Sequence, residues 1–95
     1  MNLIKISESE ASKLGRYSTG DTLQRIIIVP YSLECGAIEI NGGDGLKFTL
    51  FDGASNLNKL DNLLPITIEL GVISSSTGWK VSVGRGLEVI AIGEF

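Results

Sequence analysis

The chain has 95 residues and a net charge of −3, and 43% of its residues are apolar but only 6% aromatic. A chain of this length forms one domain and buries about 65% of the surface that its unfolded form exposes, enough for a two-layer core. With no histidine and one cysteine, it cannot assemble the usual nucleophile–base pairs or zinc sites made of His and Cys.

Charge and hydropathy patterning exclude two kinds of partner. The eight Lys and Arg residues are scattered and form no basic stripe with interleaved aromatic residues, so we expect no nucleic-acid partner. The longest apolar run, residues 26–30, is far shorter than the ~20 residues that span a bilayer, and residues 1–5 do not resemble a secretory signal. The sequence therefore predicts a soluble protein without a membrane partner. Cys35 is predicted to be a small apolar residue at a strand edge, with an intermolecular bridge or a reactive thiol as the alternative.

The N-terminal segment, residues 1–20, is predicted to be an arm that precedes a β-sandwich domain of residues 21–95. Residues 3–6 form a plausible short strand. Residues 7–14 (SESEASKL) have the spacing of a helix capping box but only two apolar side chains. A short helix and an extended arm that orders only against a partner are therefore equally compatible with this stretch.

The centre of the chain, residues 37–53, reads as a β-hairpin. Apolar and polar side chains alternate on both sides of a glycine-rich turn at residues 41–45, as expected for strands with one buried face. An isolated hairpin is barely stable in water, so other strands must cover that face. Phe51 has the opposite parity and is expected to stand apart from the buried set, which is Ile38, Ile40, Leu46, Phe48 and Leu50.

The remaining strands are predicted around this hairpin. Residues 22–29 include four consecutive apolar side chains, which is typical of a strand covered on both faces. The leucines of residues 54–64 could line one side of a helical turn or plug the open end of a sandwich. Residues 84–86 are predicted to be a hairpin turn. The last three strands are predicted at residues 66–70, 79–83 and 87–92. The fold class is therefore all-β, an antiparallel two-sheet β-sandwich of six to seven short strands, with a small β-barrel as the alternative.

Candidate chemistry is sparse, and we expect no enzyme, no metal and no cofactor. Glu39, Glu69 and Glu88 occupy outward positions of alternating strands, where a solvated face is the ordinary explanation. The loops at Asp44 and Asp52 lack the series of oxygen ligands that a calcium loop needs. No pair of carboxylates is marked for acid–base work.

Trp79 admits two interpretations. It has the parity of Val81 and Val83, which predicts a core position. The alternative is a platform for sugars, as in a carbohydrate-binding β-sandwich module.

Apolar residues are more abundant than one buried face requires. An exposed surplus of this kind usually marks an interface, with burial under the arm or the leucine loop as the alternative. The predicted partner interface comprises Ile4, Ile6, Ile26, Ile28, Phe51, Ile90, Ile92 and Phe95.

Part of the chain resembles small β-sandwich proteins of tailed-phage particles. The run DTLQRIII at residues 21–28 precedes a glycine-rich hairpin that ends in FTLFDGASN at residues 48–56. An apolar strand at residues 65–71 and Gly78-Trp79 follow, before two terminal strands. The likeness covers roughly residues 21–93 and lies in the order of the elements.

The resemblance implies a non-enzymatic virion protein, most often a capsid decoration (cement) protein, with tail or fibre components as the alternative. Such a protein would bind the major capsid protein on the outer capsid surface after synthesis in the host cytoplasm, as a homo-oligomer with a trimer favoured. No residue-level functional motif is carried over.

Overall fold

The computed structural model describes residues 1–53 and 63–95, and every regular element in them is a β-strand. None of this part of the chain forms a helix of the length and apolar character needed to cross a membrane. The strands are β1 (Asn2–Ile6), β2 (Ala11–Lys13), β3 (Thr22–Pro30), β4 (Ala37–Asn41), β5 (Lys47–Asp52), β6 (Ile66–Ser74), β7 (Lys80–Val83) and β8 (Leu87–Glu94).

The strands form two four-stranded sheets, so the predicted two-sheet β-sandwich is confirmed. Sheet A has the order β1-β8-β3-β6, sheet B has the order β2-β7-β4-β5, and every pair of neighbours is antiparallel. The barrel alternative was wrong because the two sheets stay separate. The eighth strand, beyond the predicted six or seven, is the three-residue β2.

The strand order is that of a jelly roll. β4 pairs with β5, β3 with β6, β2 with β7, and β1 with β8. The chain is thus a long antiparallel ribbon with the predicted central hairpin at its tip, rolled up so that β3 also pairs with β8 and β4 with β7. Eight strands wound in this way form a double-sheet jelly roll, an architecture that leaves four edge strands.

The predicted N-terminal arm is part of the sandwich. β1 is an edge strand of sheet A and β2 is an edge strand of sheet B. Leu14, just after β2, is fully buried, and its N–H donates to the carbonyl of Trp79 at 2.8 Å. The possible helix at residues 7–14 does not form, because residues 11–13 pair with β7 and Leu14 is buried directly after them, whereas a free helix with two apolar residues would bury neither.

The core lies between the sheets. Sheet A contributes two rows of directly opposed side chains across its four strands, and sheet B contributes the inward side chains of β4, β5 and β7. The rows are Ile4–Ala91–Ile26–Ile68 and Ile6–Val89–Ile28–Ile66.

A β-bulge corrects the prediction for the central hairpin. Ile38 lies opposite Phe51 but Glu39 lies opposite Thr49, which leaves Leu50 as the extra residue of β5. The bulge reverses the parity of the strand, so Phe51 returns to the inner face and is buried. Leu46, predicted to be buried, lies before β5 and is 39% exposed.

Three further predictions differ from the structure or fall outside it. β6 continues through Gly71, with its positive φ of 69°, to Ser74 instead of ending at residue 70. Residues 84–86 join β7 of sheet B to β8 of sheet A, so this turn crosses between the sheets and is not a hairpin. Most of the predicted leucine segment, residues 54–62, lies outside the described residues.

Candidate partner-binding surface

The outer face of sheet A has an apolar centre. β3 and β8 are its two central strands, and the side chains that they direct outward include Ile27 and Ile90, which are direct cross-strand partners. Leu3 of the edge strand β1 lies opposite Ile92 and is 65% exposed. The apolar members of this face include Leu3, Ile27, Val29, Ile90 and Ile92, of which the last four are half-buried.

Two ion pairs border this apolar centre. Lys5 Nζ lies 2.9 Å from Glu88 Oε1, and Arg25 Nε lies 2.6 Å from Glu69 Oε1. The hydrogen bond and the charge of Glu88 raise the pKa of Lys5. Each pair links an edge strand to a central strand, because β1 neighbours β8 and β6 neighbours β3. The charged groups are therefore neutralised by one another at the rim of the apolar side chains.

The predicted interface residues lie in three different places in the structure. Only Ile90 and Ile92 lie on the outer face of sheet A. Phe95 is half-buried at one end of the sandwich, where it lies close to Gly15 and Gly93. The other five side chains point into the core, which corrects their assignment to an exposed surface; they are Ile4, Ile6, Ile26, Ile28 and Phe51.

The error in β3 has an identifiable cause. Residues 26–29 are apolar at both parities, and Gln24 is an extra residue that shifts the register between Leu23 and Arg25. Sequence reasoning therefore missed Ile27 and Val29. The signal that could have found them is Arg25, since a charged residue faces solvent and every second residue after it shares its face.

Trp79 is a core residue, as its parity predicted. Its side chain is fully buried, and its Nε1–H donates to the carbonyl of Asp21 at 2.8 Å. A Cβ added to Gly42 would lie 2.7 Å from a ring carbon of Trp79, so the hairpin turn closes over the indole. Because the ring has no free face, Trp79 cannot act as a sugar platform.

The structure places the candidate carboxylates and the cysteine in ordinary structural surroundings. No group of three or more Asp, Glu or Cys residues among them is arranged to hold a metal ion. Glu39 lies 3.9 Å from Lys47, and Glu69 and Glu88 form the two ion pairs above. Cys35 is buried two residues before β4, and burial raises the pKa of its thiol, which keeps it protonated and weakly nucleophilic.

Comparison with known proteins gives no relative: neither a protein-family model, nor a curated protein, nor a solved structure matches the chain.

Proposed function

We propose that this chain is a non-enzymatic structural protein of a tailed-phage particle, a capsid decoration (cement) protein that binds the outer surface of the major capsid shell and stabilises it. The observation that carries the proposal is the apolar centre of the outer face of sheet A. The resemblance of residues 21–93 to small virion proteins supplies the identity of the partner.

The shape and composition of this face support a protein partner. Four strands spaced about 4.8 Å apart present a broad, gently twisted surface. Small molecules bind in concave pockets, whereas an apolar centre with a polar rim is typical of protein–protein interfaces. Leu3 is the clearest sign of an uncovered apolar surface, since 65% of this large apolar residue stays in contact with water.

The jelly-roll strand order agrees with the proposal. Viral capsid and lectin domains use this architecture, although a fold alone does not determine function. The lectin alternative has no support from Trp79, which is buried. In the proposed role, the outer face of sheet A packs on the capsid or on a neighbouring copy within a trimer, and a tail or fibre protein would use the same face.

Co-sedimentation tests the proposal. Capsids of the encoding phage, assembled without this protein, are mixed with the purified chain and centrifuged, and the bound protein is quantified by mass spectrometry. We expect saturable binding, a rise in the temperature at which the shells open, and little affinity for unassembled capsid subunits. Leu3→Ser should weaken binding about tenfold, because one large apolar contact of an interface contributes about 1–2 kcal/mol.

The matched control is Leu33→Ser. Leu33 is 45% exposed but lies in the connection between β3 and β4, so the same chemical change there should leave capsid binding unaltered. A wild-type chain that is a monodisperse monomer by analytical ultracentrifugation and never sediments with the shells would refute the proposal. Equal loss of binding in both variants would mean that the capsid does not contact the outer face of sheet A specifically.

A further inference from the structure

A row of lysines crosses the outer face of sheet B, on the opposite side of the sandwich from the proposed capsid contact. Lys13 of β2 lies opposite Lys80 of β7, Lys80 lies opposite Asn41 of β4, and Asn41 lies opposite Lys47 of β5. Directly opposed residues share one face of a sheet. We call Lys13, Lys80, Asn41 and Lys47 the lysine row. At about 4.8 Å per strand, its three ammonium-bearing residues span about 15 Å.

The row concentrates positive charge in a chain whose net charge is −3. Lys13 and Lys80 form no ion pair with any residue in ranges 1–53 and 63–95, and the Nζ of Lys13 instead lies 4.8 Å from the ring centroid of Tyr17. Among the described residues, the one carboxylate paired with Lys47 is that of Glu39, at a long 3.9 Å. Like charges directly opposite one another destabilise a sheet. In the free chain, no ion pair among the described residues offsets the repulsion between Lys13 and Lys80.

We propose that the lysine row binds an acidic segment of a protein partner, which makes the sandwich a two-sided module. Charge complementarity identifies the chemistry of the partner, because carboxylates placed along the row would neutralise three lysines that the described residues leave largely unpaired. The contact is independent of the proposed capsid contact, since the two lie on different sheets.

An acidic polypeptide fits the row better than a nucleic acid does. Single-stranded nucleic acids bind to grooves that offer aromatic side chains for base stacking, and the row contains none. Tyr17, the nearest aromatic ring, is half-buried and faces Lys13.

Binding of a fluorescent deca-glutamate peptide to the full chain tests the inference by fluorescence anisotropy, with deca-glutamine and deca-thymidylate as reference ligands. We expect deca-glutamate to bind most tightly and to lose affinity as salt rises from about 20 mM to about 150 mM. Lys80→Gln should weaken binding about threefold, as expected for the loss of one exposed ion pair. Arg85→Gln removes the same charge in the β7–β8 connection and should have no effect.

Thermal unfolding supplies a second, ligand-free measurement. Lys80→Gln should raise the Tm of the free protein by about 1–4 °C at low salt, because it removes the repulsion with Lys13. The Tm of Arg85→Gln should not rise. The inference would be overturned if deca-glutamate and deca-glutamine bound equally, or if the two substitutions had equal effects. It would also be overturned if deca-thymidylate bound more tightly than deca-glutamate, which would assign the row to nucleic acid.

Discussion

The two outer faces of the sandwich differ although strands of similar sequence pattern build them. In sheet A the central strands β3 and β8 carry isoleucine and valine at both parities, so the outer face is apolar at its centre. In sheet B the central strands β4 and β7 alternate, and residues such as Glu39 and Ser82 face outward. A jelly roll needs only one apolar face per sheet, so the second apolar face of sheet A is surplus to folding and is the better candidate for binding.

Charge separates the two faces further. On sheet A the charged side chains neutralise one another in the pairs Lys5–Glu88 and Arg25–Glu69. On sheet B, Lys13 and Lys80 face each other without an ion pair in the described part of the chain. The first face is suited to association by burial of neutral surface, which is insensitive to salt, and the second to association by charge, which salt weakens.

The largest expected effect concerns Phe51, a side chain that the alternation of β5 would place outside. Phe51→Ala should cost about 3–5 kcal/mol of stability, because it truncates an aromatic side chain that is buried between the sheets. Urea unfolding monitored by the fluorescence of Trp79 measures the change. Phe48→Ala is the comparison, and it should cost less because Phe48 is only half-buried. If Phe48→Ala is instead the more destabilising change, the bulge at Leu50 does not direct Phe51 inward.

The alternation of apolar and polar residues predicted the sandwich correctly, because most strands have one buried and one exposed face. The hairpin of β4 and β5, the strand β7 and the core position of Trp79 all follow from that pattern. The errors arose where the pattern changes within a strand. The bulges at Gln24 and Leu50 each insert one residue, and one residue is enough to exchange the two faces.

The topology could not be predicted in the same way. β1 and β8 are neighbours although they lie at opposite ends of the sequence, and periodicity carries no information about such long-range pairing. The segment of residues 1–20 was assigned to an arm because its apolar residues are few. In the structure these few are sufficient, since Ile6 and Leu14 are buried by contacts with distant strands.

The two faces of β3 provide a more direct test of the comparison. Ile26→Ala should cost about 2–5 kcal/mol, because Ile26 is fully buried between the sheets. Ile27→Ala should cost about 1 kcal/mol, in proportion to its partial burial. Chemical denaturation of both variants measures the difference. Equal losses would indicate that something covers Ile27 in solution, and the oligomeric state of the wild-type chain at the same concentration would then show whether a second copy does so.

A smaller effect on stability is expected at Leu3, a largely exposed residue of the outer face of sheet A. Leu3→Ser should change the free energy of unfolding by no more than about 0.5 kcal/mol, since the side chain is 65% exposed. Differential scanning calorimetry measures it, with Leu33→Ser as the matched variant outside the face. A large loss of stability would make Leu3 a structural residue, and its effect on capsid binding could then not be attributed to a lost contact.

The smallest expected effect is the pH dependence of the ion pair at the rim of that face. Glu88 raises the pKa of Lys5 in the folded chain, so folding favours the protonated lysine. The stabilisation is therefore complete below pH 10.5, the ordinary pKa of lysine, and is lost as the pH rises through the higher folded value. A thermodynamic cycle of the wild type, Lys5→Gln, Glu88→Gln and the double variant isolates this coupling from other titrating groups. The coupling should be constant between pH 7 and pH 9 and should decline above pH 10.5. A coupling near zero at every pH would mean that Lys5 and Glu88 do not pair in solution. The rim of sheet A would then carry unpaired charges as sheet B does.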